Sequence, residues 1–462
     1  MIRIDDRFYM TENGILFDTD SNLPTKPLGG SISDAISILS PFNVRLNQRV
    51  LSTASYADGS NFAINLNLTS ACNLNCTYCF ARGGDYGDKK GNMSEDILPA
   101  LRNLILHNVT PSKKVRFEYF GGEPLLNEKM VHALIRFSHE LEEEHGIHIL
   151  HRVSTNLTKL SDSLLKALCE ANFVVSVSID GTKAVQDMQR PSRNGRSSYD
   201  TILDNVKRIK GTNPNIRTVA RMTVAQKDTP ILDNIVDLIS SGLFDYVSIY
   251  PASVLSRDGL RYVYYFDDDI KEQYHNMFTH YHELCRMSGF KGFLEVEKIL
   301  DSLLHGKLSV SHCSAGGNYC TISSDASIVT CHRLCGQAAY VLNRDGTGIL
   351  DHALQAKWSK KVDDDSVCCK CYARYICGGG CKQEHISRTG SLSTKNTDAC
   401  AYRMFFLEEI LSNIEHLALE FNDRYVSLDD MFVYCGRPVV PNKRVLPPNK
   451  SEFLKMFHLQ EG

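Results

Sequence analysis

An α/β chain is what this sequence predicts, with a partial (β/α)6 barrel over residues 61–300 and a cysteine-rich segment behind it. Three observations lead there. Strand-type alternation and helix-type apolar stripes succeed one another six times from residue 61 onward. Right-handed crossovers between parallel strands curl such a series into a full or partial TIM-like barrel. Ten of the sixteen cysteines crowd between Cys313 and Cys400, where glycines cluster and long apolar runs are scarce. Such a stretch is expected to fold around metal ligands. Finally, 462 residues exceed what one hydrophobic core supports, so two domains with appendages are expected.

Taken in order, residues 1–60 form a lead-in. Phe-Tyr-Met and Ile-Leu-Phe flank Asn13-Gly14, a hairpin signal because Asn-Gly tolerates positive φ. Residues 21–33, rich in Pro, Gly and Ser, read as loop. The first barrel strand is expected over 61–68, and the first helix over 94–107 with Ser94 as its N-cap. Strand and helix patterns then alternate: 115–120 with 128–145, 147–155 with 159–171, 173–179 with 198–210, 217–225 with 231–242, and 246–252 with 269–288. Residues 301–405 are read as the cysteine-rich domain. Residues 406–462 complete the chain with a helix over 408–421 and a loose tail.

The formal charge of −3 and a hydrophobic fraction of 43% describe a folded chain without the basic footprint that nucleic acid favours. No run of 18 apolar residues is present, so no membrane span is expected, and the N-terminus lacks a secretory pattern. A cytoplasmic location follows as the expectation. In that reducing compartment sixteen thiols point to metal or sulfide clusters before disulfides.

Cys72, Cys76 and Cys79 follow the first strand directly, at the edge where barrel active sites lie. Three thiolates at this spacing can hold a [4Fe-4S] cube and leave one iron open to a small molecule. Zinc is the alternative, but it needs a fourth ligand, and the residues just downstream offer only an aspartate. Gly121-Gly122-Glu123 ends the second strand: glycines permit close backbone approach, and Glu123 could pair with an ammonium. Asn156, Ser178, Asp180 and Arg221 sit at later strand ends on the same face. Further on, Cys368, Cys371, Cys377, Cys381 and Cys400 join Cys313, Cys320 and Cys331. Eight thiols would ligate two more [4Fe-4S] clusters; a zinc ribbon would use four and leave four free.

The Cys72–Cys79 motif, with an aromatic residue before its third cysteine, resembles the CxxxCxxC signature of radical S-adenosylmethionine (SAM) enzymes. Residues 117–124 resemble that family's second motif. The later cysteines resemble the SPASM domain of peptide- and protein-maturing members, except that the family's glycine five residues before Cys331 is Ala326 here. The resemblance implies that Cys72, Cys76 and Cys79 hold the reactive cluster. Phe80, Gly121, Gly122, Glu123, Asn156, Ser178 and Arg221 would line the SAM site, with Asp180 and His332 catalytic. It assigns Cys313, Cys320, Cys331 and Cys381 to an inner auxiliary cluster and Cys368, Cys371, Cys377 and Cys400 to an outer one. Cys335 and Cys369 could replace a neighbour. Cys169, Cys285 and Cys435 are read as structural.

The family's chemistry cleaves SAM to a 5′-deoxyadenosyl radical that removes hydrogen from a substrate carbon. Two auxiliary clusters offer an outlet for electrons, which suits oxidative modification. The sequence is therefore expected to encode a maturase that closes a thioether or carbon–carbon crosslink in a ribosomally made precursor peptide, fed by a flavodoxin- or ferredoxin-type donor. Formylglycine formation, as in anaerobic sulfatase maturases, is one alternative, although those enzymes place aspartate where His332 stands. Peptide C–C scission or rearrangement is a second. A non-enzymatic iron–sulfur electron carrier or scaffold is a third, and the three-cysteine arrangement speaks against it. The lead-in could grip the peptide's leader by strand addition.

Overall fold

A computed structural model describes residues 61–255, 262–335 and 352–414, apart from short breaks at 88–90, 110–113, 228, 265, 288–289, 305–306 and 359. It also describes Leu417 and a few short strands outside these spans. Six parallel strands run in chain order through the sheet: β1 (Asn61–Thr69), β2 (Lys114–Gly121), β3 (Ile149–Thr155), β4 (Val174–Ser178), β5 (Arg217–Val224) and β6 (Tyr246–Pro251). This is the partial barrel the sequence predicts. β7 (Gly292–Phe293) extends it parallel to β6, and β8 (Tyr319–Ile322) extends it parallel to β1. β9 (Ile328–Val329) and β10 (Val341–Leu342) add antiparallel edges, making ten strands.

The period of two decides what each face carries. Ile64, Leu66, Val115, Phe117, Val153 and Val175 turn to the outer apolar core, with exposures near zero. The intervening Asn65, Asn67, Arg116, Glu118, Arg152 and Ser176 are buried polar residues on the opposite face. There Arg116 Nε meets Glu118 Oε1 at 2.8 Å and Arg152 donates to Ser176 Oγ at 2.9 Å. A lumen lined this way is polar, suited to a ligand with charged ends.

The crossover helices are α1 (Leu98–Asn108), α2 (Glu128–His145), α3 (Asp162–Glu170), α4 (Lys183–Gln189) with α5 (Tyr199–Thr212), and α6 (Ile231–Ser240). α2 shows how sequence sets the limits. The Asn127 side chain accepts from Met130 N at its start, Gly146 closes it at φ 64°, and Met130, Leu134, Phe137 and Leu141 form the buried stripe. α7 (Asp268–Thr279) and α8 (Leu294–Leu304) close the barrel side, and α9 (Lys382–Thr389) and α10 (Thr397–Ser412) follow the cysteines.

Several expectations need correction. Ser94 caps nothing: its hydroxyl bonds Asp96, and a 3-10 turn over Glu95–Ile97 precedes α1. The helix expected over 408–421 begins at Thr397, where the Asn396 side chain accepts from the N–H groups of Asp398 and Ala399. Phe8–Met10 does pair antiparallel with Leu16–Asp18, but Leu23–Thr25, expected as loop, is the outer strand of that small sheet. An edge position accommodates Pro24, which has no N–H to donate. Ala326 adopts φ 68°, the conformation a glycine would take, so the turn keeps its shape at a cost of about 1–2 kcal/mol. Finally, β8 hydrogen-bonds β1, so the cysteine-rich segment borrows the barrel sheet as part of its support. Cys169 and Cys285 lie in the core, and Cys435 falls outside the described residues.

Candidate active site

The loop after β1 is built by backbone packed on backbone. A Cβ added to Gly122 would stand 2.2 Å from Ala71 O, and one on Gly84 would stand 2.6 Å from Ser70 O and 2.7 Å from the Gly122 Cα. Gly121 holds φ 133° with Asn67 Oδ1 and Thr69 O equally close. The glycines expected to admit a ligand thus first admit the cysteine loop itself. Gly122 N donates to Thr69 O and Glu123 N to Ala71 O, both at 2.8 Å, which fixes the loop to the end of β2.

Each of the three thiols in this loop has a donor set on its sulfur. Gly83 N–H points to Cys79 Sγ at 3.3 Å, and Asn156 Nδ2 to Cys72 Sγ at 3.8 Å. The Arg190 guanidinium donates to Cys76. Burial pushes the Cys72 thiol up to about 12, with the Glu123 charge adding to it, and Cys76 up to about 11. Unmetallated thiols here stay protonated, whereas a metal deprotonates them outright. Partly exposed cysteines, each with a donor, fit a cluster whose charge needs hydrogen bonds. Arg190 Nε is buried without a protein acceptor, as a neighbouring sulfide would require. Among the described residues no three His, Cys, Asp or Glu side chains converge on a single ion. A cube takes its thiols further apart than one zinc ion does.

The strand-end residues divide into brackets and lining. Glu123 is 1% exposed, and its carboxylate accepts from Thr155 Oγ1 and Asn156 N at 2.6 Å and from Leu125 N at 3.1 Å. Burial raises it to about 7. Its side chain ties β2 to β3, which leaves the backbone of residues 121–123 as the part near the cysteine loop. Asn156 joins Cys72 to Asn73 Oδ1. Asp180 is fully buried and accepts from Tyr78 OH (2.6 Å), Arg190 (2.9 Å) and Thr223 N (2.9 Å). The expectation that it acts as a catalytic group meets a carboxylate already committed to holding the loop. Ser178 and Arg221 are half-buried at paired positions of β4 and β5, on the lumen side.

Phe80 and His332 join the two cysteine regions. The Phe80 ring lies 6.4 Å from Phe120 and 6.0 Å from both Tyr86 and His332, with Arg333 5.0 Å above it. His332 lies 4.8 Å from Phe120, and its Nδ1 is 2.7 Å from Tyr319 OH. Burial first, then Arg333 and Arg221, lowers His332 to about 3. The imidazole is therefore neutral at ordinary pH. Tyr319 OH shares that hydrogen bond with Nδ1 and also accepts from Thr321 Oγ1 at 3.5 Å.

The second region forms two groups. Cys331 is influenced by the charges of Cys381 and Cys313, and Cys368 by those of Cys377 and Cys400, with Cys371 beside Cys377. Cys313 and Cys331 pack on the Ala63, Tyr319 and Trp358 cluster. Cys320 does not join them. It pairs with Ile64 across the sheet and turns to the outer core, while Tyr319 and Thr321 face the site. Strand alternation is the reason. Cys335 lies with Asn67, whose Nδ2 is 3.9 Å from its sulfur, and no thiol of the inner group contributes to its shift. Cys369 stands in the turn beside Cys368. Sequence reasoning missed Arg190 altogether, since no spacing ties it to residue 76; the aromatic at Tyr78 was the one available hint.

The Radical SAM superfamily profile matches residues 66–239. An uncharacterized protein of Methanocaldococcus jannaschii is 30% identical over 40% of this chain, which spans 61% of that protein's length. The cysteine-type anaerobic sulfatase-maturating enzyme of Clostridium novyi is 25% identical, with 76% of this chain and 95% of that one covered. Native anSMEcpe with bound AdoMet superposes with a TM-score of 0.64 at 18% identity, over 76% of this chain and 98% of that one. Streptococcus suis SuiB bound to its precursor peptide SuiA gives 0.54 at 15%, over 86% and 100%. These two likenesses show a shared fold.

Proposed function

From the premise that this chain carries a radical SAM domain over residues 66–239, we propose that it is an enzyme that oxidatively modifies a precursor peptide, closing a thioether or carbon–carbon crosslink. The observation that carries this is the cysteine loop: three thiols at the C-terminal edge of β1, each with its own donor, facing a polar lumen. A sulfatase-maturing relative along most of the chain and the shared fold of a precursor-peptide enzyme support a peptide as substrate.

Cys72, Cys76 and Cys79 would hold the reactive [4Fe-4S] cluster. Cys313, Cys331 and Cys381 would hold the inner auxiliary cluster, and Cys368, Cys371, Cys377 and Cys400 the outer one. When bound, the reactive cluster and SAM supply a 5′-deoxyadenosyl radical able to take hydrogen from an unactivated carbon. The chain's own residues do the rest. Ser178 and Arg221 line the lumen for the ligand's polar ends. Phe80 and Phe120 exclude water between the two cysteine regions. His332 would donate a hydrogen bond to the substrate and hold it in place. The outer group suits a flavodoxin- or ferredoxin-type donor, and a cytoplasmic location belongs to the same reading. Among the described residues no helix is long and apolar enough to cross a membrane.

Histidine stands at position 332, where the anaerobic sulfatase maturases carry an aspartate base, and this favours crosslinking over formylglycine formation. Mass spectrometry of a candidate peptide, after incubation with the reconstituted protein, SAM and reductant, tests this. A crosslinked product is lighter by two hydrogens per link, located by fragmentation. Formylglycine in a sulfatase-derived peptide, or a product shortened by a fragment, would replace the crosslinking assignment.

A further inference from the structure

Residues 189–193 run along the cysteine loop as a strap. Thr77 N donates to Gln189 O at 2.9 Å, Asn75 N to Pro191 O at 2.8 Å, and Arg193 N to Asn73 O at 3.2 Å, with an antiparallel bridge between Leu74 and Ser192. From the middle of this strap Arg190 turns inward. It is 8% exposed, bonds Asp180 Oδ1 at 2.9 Å and lies 5.2 Å above the Tyr78 ring. Tyr78 OH bonds the other Asp180 oxygen at 2.6 Å, and Thr223 N on β5 holds the first at 2.9 Å. Cysteine loop, strap and two barrel strands thus share one buried ion pair, and the pairing of residue 75 with 191 and of 77 with 189 sets its cation beside Cys76. The charge is fixed by its neighbours before any cluster is present.

We propose that Arg190 is a positioning residue for the cluster on Cys72, Cys76 and Cys79: clamped by Asp180 and Tyr78, it places a fixed cation against the Cys76 sulfur and so raises that cluster's reduction potential. The physical reason is that a reduced cluster carries one more negative charge than an oxidised one. A buried donor cation on a ligand sulfur favours the reduced form, as hydrogen bonds to cluster sulfurs do generally. The proposal rests on the reading that these three cysteines hold a cluster.

The test is an EPR-monitored redox titration of the full, anaerobically reconstituted chain, following the signal that changes when SAM is added, with iron counted in parallel. Arg190→Gln should keep its iron and titrate at a more negative potential, while Arg190→Lys, which retains a charge, should fall between it and the native protein. Because Arg190→Gln leaves Asp180 buried without its cation, the paired Asp180→Asn/Arg190→Gln variant repeats the measurement without an orphaned charge and should shift in the same direction by a smaller amount. Loss of the reactive cluster in Arg190→Gln but not in Arg190→Lys also supports the cation's role. An unchanged potential at full iron content overturns the inference, as does equal cluster loss in both single variants, which would make the strap alone responsible. A native protein whose SAM-responsive signal is missing altogether would instead sink the cluster reading beneath it.

Discussion

The loop around Cys72–Cys79 and the segment around Cys368–Cys400 would be easy to equate by cysteine content alone, yet the two are held by different forces. The first loop is fastened by backbone: glycines stacked on backbone at three points, and the 189–193 strap along its length. The second has one such glycine, Gly378 against the backbone of Ser311 and His312, and otherwise relies on side chains over a small apolar group of Leu308, Val362, Cys368 and Tyr375. There Glu384 pairs with Arg403 at 2.6 Å and Asp365 with Lys395 at 2.8 Å. His385 bridges Gly379 O and Asn396 N, each at 3.0 Å, and so ties the turn before Cys381 to the helix that carries Cys400. A loop shaped by a barrel should keep its form when empty. A segment with so small an apolar group of its own should need metal to complete it.

The largest effect expected is at the first loop. Replacing Cys72, Cys76 and Cys79 together with alanine should abolish SAM cleavage and remove about four of about twelve irons, leaving the second region loaded. Iron analysis beside an assay for 5′-deoxyadenosine reads both. Loss of all iron would mean that the regions are not independent. Chelating iron from the native protein sharpens the contrast: amide exchange should rise by orders of magnitude over residues 362–395 and change little in β1–β6. Equal loss of protection in both would erase the distinction.

Within the second region, strand alternation makes a narrower claim. Cys331→Ala should lose about four irons, whereas Cys320→Ser should keep all of them and cost only stability. A Cys320→Ser protein short of one cluster would place that thiol among the ligands after all.

Periodicity explains how much of this was legible. The six barrel strands and α2 could be read because alternation and apolar stripes are local properties, and the Cys72–Cys79 spacing is local too. The face to which Cys320 points was not legible, because it depends on register with β1, a partner far away along the chain. The same applies to Arg190 and Asp180: only the folded barrel brings residues 180, 190 and 223 to Tyr78. Glu123 looked like a ligand for an ammonium because its neighbours Thr155 and Asn156 come from another strand. Local sequence reports the scaffold and the metal donors; which polar groups are already spoken for is decided by tertiary contact.

His332 lies where the regions meet, so its substitution tests whether they work on one substrate. His332→Ala should retain iron and SAM cleavage while product per SAM consumed falls roughly a hundredfold, as removal of a positioned donor does. His332→Gln, which keeps an N–H donor, should recover part of it. Unchanged product would reduce the residue to packing between Phe80 and Phe120.

The smallest effect concerns the barrel alone. His151 is 8% exposed in the outer layer, between Tyr119 OH at 2.9 Å and Ser138 Oγ at 3.1 Å. Burial, then the charges of His139 and His148, lowers it from 6.5 to about 3. Above pH 6.5 the ring is neutral in folded and unfolded chains alike and stability does not depend on it. Below that, the unfolded chain binds a proton that the folded one refuses until about pH 3, so stability falls as pH drops through this window. At pH 5 the loss amounts to roughly 2 kcal/mol. Amide exchange in β3, corrected for intrinsic rates and compared at about pH 7 and about pH 5, should show this acid weakening in the native protein. His151→Gln, less stable at neutral pH but without the titrating ring, should show far less of it. An equal acid slope in both would mean that other groups govern the barrel's pH response, and that its outer layer owes nothing to this buried imidazole.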